Sequence, residues 1–267
     1  MHFFILGPLK VVADDSPLFL TGTHQRTALG LLLLRINRVV TTDRLVTALW
    51  RNNPPATAVK MVHKAMAKLR ALLAGASSSG TGPELITGEG GYMLRVDPAR
   101  LDCTRFFALI SRSREAYLTG SPVTATRALT EALTLSRGSV LEDLTESGMS
   151  WPELRTLEHR RQTVLKDIFD IALSCGRHRD IVADLVSLTE VQIPHERLTG
   201  QCMVALYRCG RQLDALAVYR RTRLALVRHL DREPGEDLRN LHLRILNQDA
   251  SLDWNPDSSL KSAAGAG

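Results

Sequence analysis

Three lysines spaced four residues apart are the residues of this chain best suited to a recognisable chemistry. Lys60, Lys64 and Lys68 lie in the stretch PPATAVKMVHKAMAKLRALL, residues 54–73. At about 100° per residue their side chains share one side of a helix, with Thr57 between them. Apolar residues recur at spacings of three and four and predict the opposite, packed side: Val59, Val62, Met66, Leu69 and Leu73. Cations and short side chains on an outer helix face suit the major groove of DNA, although an ordinary solvated amphipathic helix is the alternative for this stretch taken alone.

The elements around this helix predict a winged helix-turn-helix. Two prolines, Pro54 and Pro55, suit its first turn. A nearly all-apolar helix over residues 24–36 and a second helix from Asp43 to about Trp50, capped by Thr41 or Thr42, precede it. Short strands are predicted over residues 3–6, 10–13, 18–20, 84–87 and 92–96. The last two form a hairpin around Gly88-Glu89-Gly90-Gly91, so the lysine helix is the predicted recognition helix and the hairpin the wing.

Charge is distributed unevenly along the 267 residues. Residues 1–100 hold 12 Lys and Arg against 6 Asp and Glu, whereas residues 101–267 hold 22 of each. The whole net charge of +6 therefore lies in the part that contains the lysine helix. This asymmetry favours a first part that binds a polyanion and a neutral second part.

The second part predicts a helical repeat. Cys175-Gly176-Arg177 recurs as Cys209-Gly210-Arg211, an offset of 34 residues that equals the tetratricopeptide period. Gly120 suggests an earlier, diverged helix pair, and Gly138-to-Trp151 is predicted to be an irregular linker over the repeat surface. The predicted fold is mainly α, with an α+β winged helix in residues 1–98 and an all-α tetratricopeptide-like domain in residues 101–247. Residues 248–267 have the composition of a disordered tail.

Enzyme chemistry finds no support in the sequence. Phosphate-binding glycine loops, the G-x-S-x-G elbow and the H-E-x-x-H zinc motif are all missing from it. The four cysteines show no metal-binding spacing, which predicts free thiols in a reducing compartment. We therefore expect no catalytic residue, no cofactor and no metal. The sequence also shows no signal peptide and no apolar stretch long enough to span a membrane, which predicts a cytoplasmic, nucleoid-associated protein.

Several segments together resemble the Streptomyces antibiotic regulatory proteins (SARPs). In the first part these are FFILGPLKV, HQRTALGLLLLRINRVVTTDRLVTALW, PPATA and GGYMLRVD. In the second they are LDCTRFFALI, GRHRDIVADL, PHERLTGQCMVALYRCGRQLDALAVYRRTR and PGEDLRNLHLRIL. The resemblance covers residues 3–247. It implies an OmpR-type winged helix followed by a bacterial transcriptional activation domain, which activates biosynthetic promoters by binding direct repeats near the −35 region and recruiting RNA polymerase.

The resemblance also implies roles for individual residues. The DNA-facing positions of the lysine helix fall on Lys60, His63, Lys64, Lys68 and Arg70. Thr57, from the helix face itself, and Arg95 on the hairpin complete the predicted DNA-binding residues. The turn Arg51-Asn52-Asn53 matches the loop that contacts the polymerase σ or α subunit. The wing departs from the family, because Gly88 and Glu89 stand where an Arg or Lys is usual. We expect this wing to add little affinity for phosphates unless Arg95 or Arg100 compensates.

Alternatives to a promoter-specific activator stay open at this point. One is a tetratricopeptide-like scaffold or adaptor with a winged helix that binds protein, or nucleic acid in general. Another is a helical domain that senses a small molecule. The target promoter, and whether a homodimer forms before or only upon binding tandem sites, are equally open.

Overall fold

The computed structural model describes residues 1–51, 53–75, 82–190 and 195–255. Its contacts divide the chain into two compact units. The first consists of Met1–Leu109 and Thr130–Arg161, and the second of Ile110–Leu129 and Gln162–Gly267. The sequence-based boundaries at residues 98, 101 and 247 follow residue patterns and not contacts, and they stay predictions.

The first unit begins with a small antiparallel sheet. Its strands are β1 (His2–Phe4), β2 (Lys10–Ala13) and β3 (Ser16–Leu18), in the order β1-β2-β3. Phe3 pairs with Val11 across the first two strands, and both side chains are buried. The first and third strands each end two residues before their predicted ends, at Phe4 and Leu18.

Three helices follow the sheet, as predicted. They are α1 (Thr23–Leu34), α2 (Thr42–Trp50) and α3 (Ala58–Gly75), with the short strand β4 (Val40–Thr41) before α2. The Thr41 hydroxyl oxygen accepts a hydrogen bond of 3.2 Å from the Arg44 amide and caps α2.

The predicted position of the two prolines in the first turn of α3 is wrong, because they precede that helix. The Pro55 carbonyl accepts a hydrogen bond of 2.9 Å from the Ala58 amide, so the prolines belong to the turn that leads into α3. The helix consequently begins four residues later than residue 54 and runs on to Gly75.

The hairpin consists of β5 (Glu84–Gly88) and β6 (Gly91–Arg95), and β4 pairs with β6 to give the sheet order β4-β6-β5. Gly88 pairs with Gly91, which leaves a two-residue loop of Glu89 and Gly90. Gly90 has a φ of +75°, which favours glycine. At Gly91 a Cβ atom would collide with the Val40 carbonyl oxygen, so the close approach of β4 requires glycine there. These elements form the predicted winged helix-turn-helix.

The prediction of an irregular linker over the repeat surface for residues 138–151 is wrong. This segment contains the short helix α6 (Glu142–Glu146) and belongs to the first unit. The Leu141 amide donates a hydrogen bond of 2.9 Å to the Ile5 carbonyl. Leu144 packs against Gly30 of α1, where a Cβ atom would lie 2.7 Å from the leucine side chain. The segment thus packs on the winged helix.

The remaining helices are α4 (Asp102–Leu118), α5 (Pro122–Leu135), α7 (Pro152–Ser174), α8 (His178–Leu188), α9 (Glu196–Arg208), α10 (Gln212–Leu230) and α11 (Glu236–Leu246).

In the second unit, the glycine turns predicted from the repeat share one geometry. Gly120, Gly176 and Gly210 have φ values of +72°, +72° and +75°. After each glycine, the next amide donates to the carbonyl five residues earlier, at 2.8 to 2.9 Å. This is the glycine-terminated helix end that lets a second helix fold back in each pair.

The predicted disorder from residue 248 onward is wrong for residues 248–255. Ala250–Leu252 forms a 3₁₀ turn, and Leu252 is buried. Arg208 of α9 donates to the Leu252 carbonyl at 2.8 Å, and the Trp254 indole donates to the Ser174 carbonyl at 3.2 Å. Both hydrogen bonds join groups that are distant in sequence, so the polar composition of this stretch could not predict them. Residues 256–267 lie outside the described part of the chain.

Candidate nucleic-acid interface

Helix α3 is anchored by one apolar side. Its buried residues recur at helical spacing, so the helix has a fixed orientation in the first unit: Ala58, Val62, Ala65, Met66, Leu69 and Leu73. Helix α1 packs against α3 and supplies part of that core. One predicted member differs, because Val59 is 46% exposed and lies on the flank of the buried stripe.

The outer side of α3 is a cationic face, formed by Lys60, Lys64 and Lys68 with Thr57 at its N-terminal end. All four residues are exposed. Within the described residues, none of the three lysine amines makes a hydrogen bond or an ion pair with another part of the chain. A row of unpaired ammonium groups on a packed helix can neutralise successive phosphates of a nucleic-acid backbone.

His63 and Arg70 lie on the flank of α3 that faces the hairpin. The His63 ring centroid is 6.4 Å from that of Tyr92 on β6, in an edge-on arrangement, and His63 remains exposed. The Arg70 guanidinium donates to the Leu85 carbonyl at 3.2 Å and to the Thr87 hydroxyl at 2.6 Å. Arg70 therefore ties α3 to β5, a role that the sequence did not indicate.

The wing carries its charges at opposite ends. Glu89 lies in the loop at the tip, whereas Arg95 pairs with Glu84 at the base of the hairpin, 3.1 Å apart. Both partners are more than 60% exposed, so the pair contributes little to stability. Arg100 donates to the Met1 carbonyl at 3.5 Å. Neither arginine lies beside the tip, and the carboxylate there has no cation next to it in the hairpin.

The turn between α2 and α3 is exposed at Arg51 and Asn53, while Asn52 lies outside the described residues. Arg51 adopts a left-handed backbone with a φ of +55°, and its amide donates to the Thr47 carbonyl at 2.8 Å. The Arg51 guanidinium reaches the exposed Gly148, 3.3 Å from where a Cβ atom would stand. The turn is thus available for contact with a protein.

Three acidic residues that the sequence did not single out hold the winged helix in place. Glu153 binds Arg44 at 2.7 Å and Arg35 at 3.3 Å. Asp143 accepts from the Leu9 amide at 2.8 Å and pairs with Arg26. Buried Asp102 accepts 2.9 Å hydrogen bonds from the Ile5 amide. All of these partners are at least 97 residues apart in sequence, so no local pattern could have revealed them.

The protonation of two of these acids reflects their surroundings. Burial raises the pKa of Asp102, and hydrogen bonds from the Ile5 and Leu6 amides oppose that rise without cancelling it. Burial also pushes up the pKa of Glu153, but a backbone hydrogen bond at its own residue and the Arg44 guanidinium hold this pKa below its usual range. Glu153 is therefore a firmly charged partner for two arginines.

No group of three or more His, Cys, Asp or Glu side chains in the described part of the chain is arranged to hold a metal ion. The four cysteines are free, with Cys103 and Cys202 buried. Burial raises the pKa of Cys202 to about 11, which keeps its thiol neutral. Of the helices described, none is long and apolar enough to cross a membrane.

Comparison with known proteins identifies the family. Residues 101–246 match the model of the bacterial transcriptional activator domain. Regulatory protein DnrI of Streptomyces peucetius is 32% identical over 259 residues, which cover 96% of this chain and 95% of DnrI. The chain belongs to the SARP family. This confirms the resemblance derived from the sequence, and it makes the chain a member of a family of transcriptional activators.

A solved structure supports the SARP fold over the full chain. The structure of Mycobacterium tuberculosis EmbR in complex with a low affinity phosphopeptide matches with a TM-score of 0.75 and 32% identity, covering 99% of this chain and 69% of that one. Transcriptional regulatory protein EmbR of M. tuberculosis H37Rv is 34% identical over 250 residues. This chain spans 64% of the length of that relative. The predicted mainly helical fold is confirmed.

Proposed function

We propose that this SARP is a sequence-specific DNA-binding transcriptional activator of biosynthetic promoters. In this proposal residues 1–98 bind tandem direct repeats near the −35 region, and residues 101–247 take part in activation. The partners are double-stranded promoter DNA and RNA polymerase holoenzyme, through its σ or α subunit. Two copies of the chain occupy the tandem sites, and the protein acts in the cytoplasm at the nucleoid.

The observation that carries this proposal is the unpaired cationic face of α3. Three exposed lysines on a helix fixed by six buried residues present a rigid row of charges. A polyanion with regularly spaced charges fits that row, and the major groove admits a helix of this kind. Lysines contact mainly phosphates, so base selection in this proposal comes from His63 and from DNA shape.

Protection of promoter DNA tests the DNA part of the proposal. The full chain is expected to protect a discrete stretch of direct repeats upstream of a regulated biosynthetic promoter. Replacing Lys64 and Lys68 by Ala is expected to reduce that protection, whereas replacing Arg220 and Arg228, two exposed arginines of α10, leaves it intact. Protection that is diffuse, or that the lysine variants do not alter, contradicts promoter-specific binding and favours a scaffold.

Transcription in vitro tests the polymerase part separately. We expect replacement of Arg51 and Asn53 by Ala to reduce transcript yield with purified holoenzyme while promoter affinity stays within about twofold. The reason is that Arg51 and Asn53 are exposed and lie outside the cationic face of α3. Unchanged transcript yield at saturated promoter DNA would show that this turn does not contact polymerase.

A further inference from the structure

The first unit contains a cleft with a volume of about 650 Å³ that the DNA-binding function does not use. The end of α1 and the residues after it form one wall, and the starts of α4 and α7 form the others. Its apolar lining includes Leu33, Leu34, Ile36, Leu101 and Leu157. Small-molecule sites typically occupy about 300–1,000 Å³ and are lined mainly by apolar side chains. The cleft has the size and lining of such a site.

The side chains that line the cleft carry a net positive charge. Arg38 and Arg160 both line it and are both exposed. The Arg160 guanidinium lies 4.0 Å from the centre of the Phe107 ring, and Arg38 has no side-chain hydrogen bond or ion pair within the described residues. The acid in the lining is Glu153, which Arg35 and Arg44 already neutralise. Two cations are therefore left for an anionic group.

The other polar groups of the cleft are suited to binding and not to chemistry. Thr104 and Thr156 supply hydroxyl groups that can accept or donate hydrogen bonds. Cys103 also lines the cleft, but burial, with a smaller effect from Asp102, raises the pKa of its thiol to about 12. The thiol is neutral at physiological pH and adds a small apolar surface.

We infer that this cleft binds a small organic anion with an apolar body, such as a carboxylate on a medium-length alkyl chain. The alkyl body lies against the leucines of α1 and α7, and the carboxylate pairs with the two arginines. This inference does not depend on the proposed DNA-binding function, because it rests on a different face of the first unit.

The cleft is connected to α3 through the packing of α1. Leu33 and Leu34 belong to α1, and α1 packs against α3. A ligand that binds only the folded unit stabilises that unit, including the helix pair. A ligand in the cleft thereby stabilises the packing of α1 against α3, which positions the cationic face, without contacting DNA itself.

Titration of the full chain with sodium decanoate, kept below its micelle concentration, tests the inference. We expect a saturable isotherm with one site per chain and a rise in the melting temperature. Decyltrimethylammonium, with the same alkyl chain and the opposite charge, is expected to give neither. The double variant Arg38→Ala, Arg160→Ala is expected to weaken decanoate binding at least tenfold. Arg155→Ala serves as the matched control, because Arg155 is an exposed arginine of α7 that does not line the cleft.

A second variant tests the location of the bound chain. Thr156→Trp places an indole in the cleft from an exposed position and is expected to abolish decanoate binding. Non-saturable binding, equal binding of the cationic detergent, or unchanged affinity in the double arginine variant would overturn the inference. If Thr156→Trp fails to fold, as judged by circular dichroism, the double arginine variant decides alone, since both of its side chains are exposed.

Discussion

The lysines of α3 and several arginines of the second unit carry the same charge in opposite surroundings. Arg197 pairs with Asp167 at 2.7 Å and Arg223 with Glu233 at 2.6 Å, whereas the described residues supply no partner for the α3 lysines. Exposed ion pairs contribute only about 0–1 kcal/mol each to stability. The consequence of pairing is therefore mainly electrostatic: the paired arginines of the second unit present no net charge, whereas the lysines of α3 keep their charge exposed.

The first unit contains the same contrast within itself. Three arginines on or directly after α1 and on α2 are bound by Asp143 and Glu153, and these pairs hold the winged helix in place: Arg26, Arg35 and Arg44. The lysines of α3, by contrast, make no side-chain hydrogen bond or ion pair within the described residues. These arginines thus have an acid beside them and the lysines of α3 do not, a difference that a count of charges along the sequence cannot show.

Reversing the charge of one α3 lysine is expected to have the largest effect on DNA affinity. Lys64→Glu is expected to weaken binding to a promoter fragment on the order of 100-fold at about 100 mM salt, because a phosphate contact is lost and a repulsion replaces it. Arg223→Glu, the same charge reversal at a paired arginine of α10, is expected to alter affinity less than about twofold. Fluorescence anisotropy measures both, and equal losses for the two variants would erase the distinction.

Removing a structural acid should cost stability instead. Glu153→Gln is expected to lower the free energy of unfolding by about 1–2 kcal/mol at pH 7, since two arginines lose a charged partner. Because folding lowers the pKa of Glu153, its contribution is present above the ordinary carboxyl pKa and is lost as the pH falls through the folded-state value. Urea denaturation should show the difference closing as the pH falls below the ordinary carboxyl pKa. A difference that persists at acid pH, or one matched by exposed Glu146→Gln, would argue against this role.

The bonds from Arg70 to the hairpin allow a test of whether an α3 cation positions the helix or contacts DNA. Arg70→Ala is expected to reduce DNA affinity about fivefold to tenfold, because β5 loses its tie to the recognition helix. Thr87→Val removes the hydroxyl acceptor and keeps the arginine charge, and we expect a smaller loss in the same direction. If gel-shift titration shows no effect for Thr87→Val and a full effect for Arg70→Ala, Arg70 acts as a phosphate contact and not as a positioning residue.

The smallest expected effect lies at the tip of the wing. Glu89→Lys is expected to raise DNA affinity about twofold to fivefold, since a carboxylate near phosphates is replaced by a cation. Glu115→Lys, an equal change of charge on exposed α4, controls for overall electrostatic attraction. An equal gain from both variants in a gel-shift titration would show that the wing does not approach the DNA.

The sequence predicted those features that depend on local pattern. Helical spacing identified the exposed lysines, and the glycines identified the hairpin and the helix-pair turns. Features that depend on contacts distant in sequence could not be predicted. Residues 138–151 have few regular apolar positions, yet they pack on α1 through Leu144. The resemblance assigns Arg70 to the DNA, and only the fold shows its bonds to β5. Trp254 likewise lies in a polar stretch but binds the end of α7.

The dependence of DNA affinity on salt tests the central claim most directly, namely that the α3 lysines neutralise phosphates. Each neutralised phosphate contributes about 0.9 to the slope of log K against log salt concentration. The variant with Lys60, Lys64 and Lys68 all replaced by Ala is therefore expected to have a slope shallower than that of the unaltered protein by roughly 3. Equal slopes for the two proteins on the same promoter fragment would contradict the account.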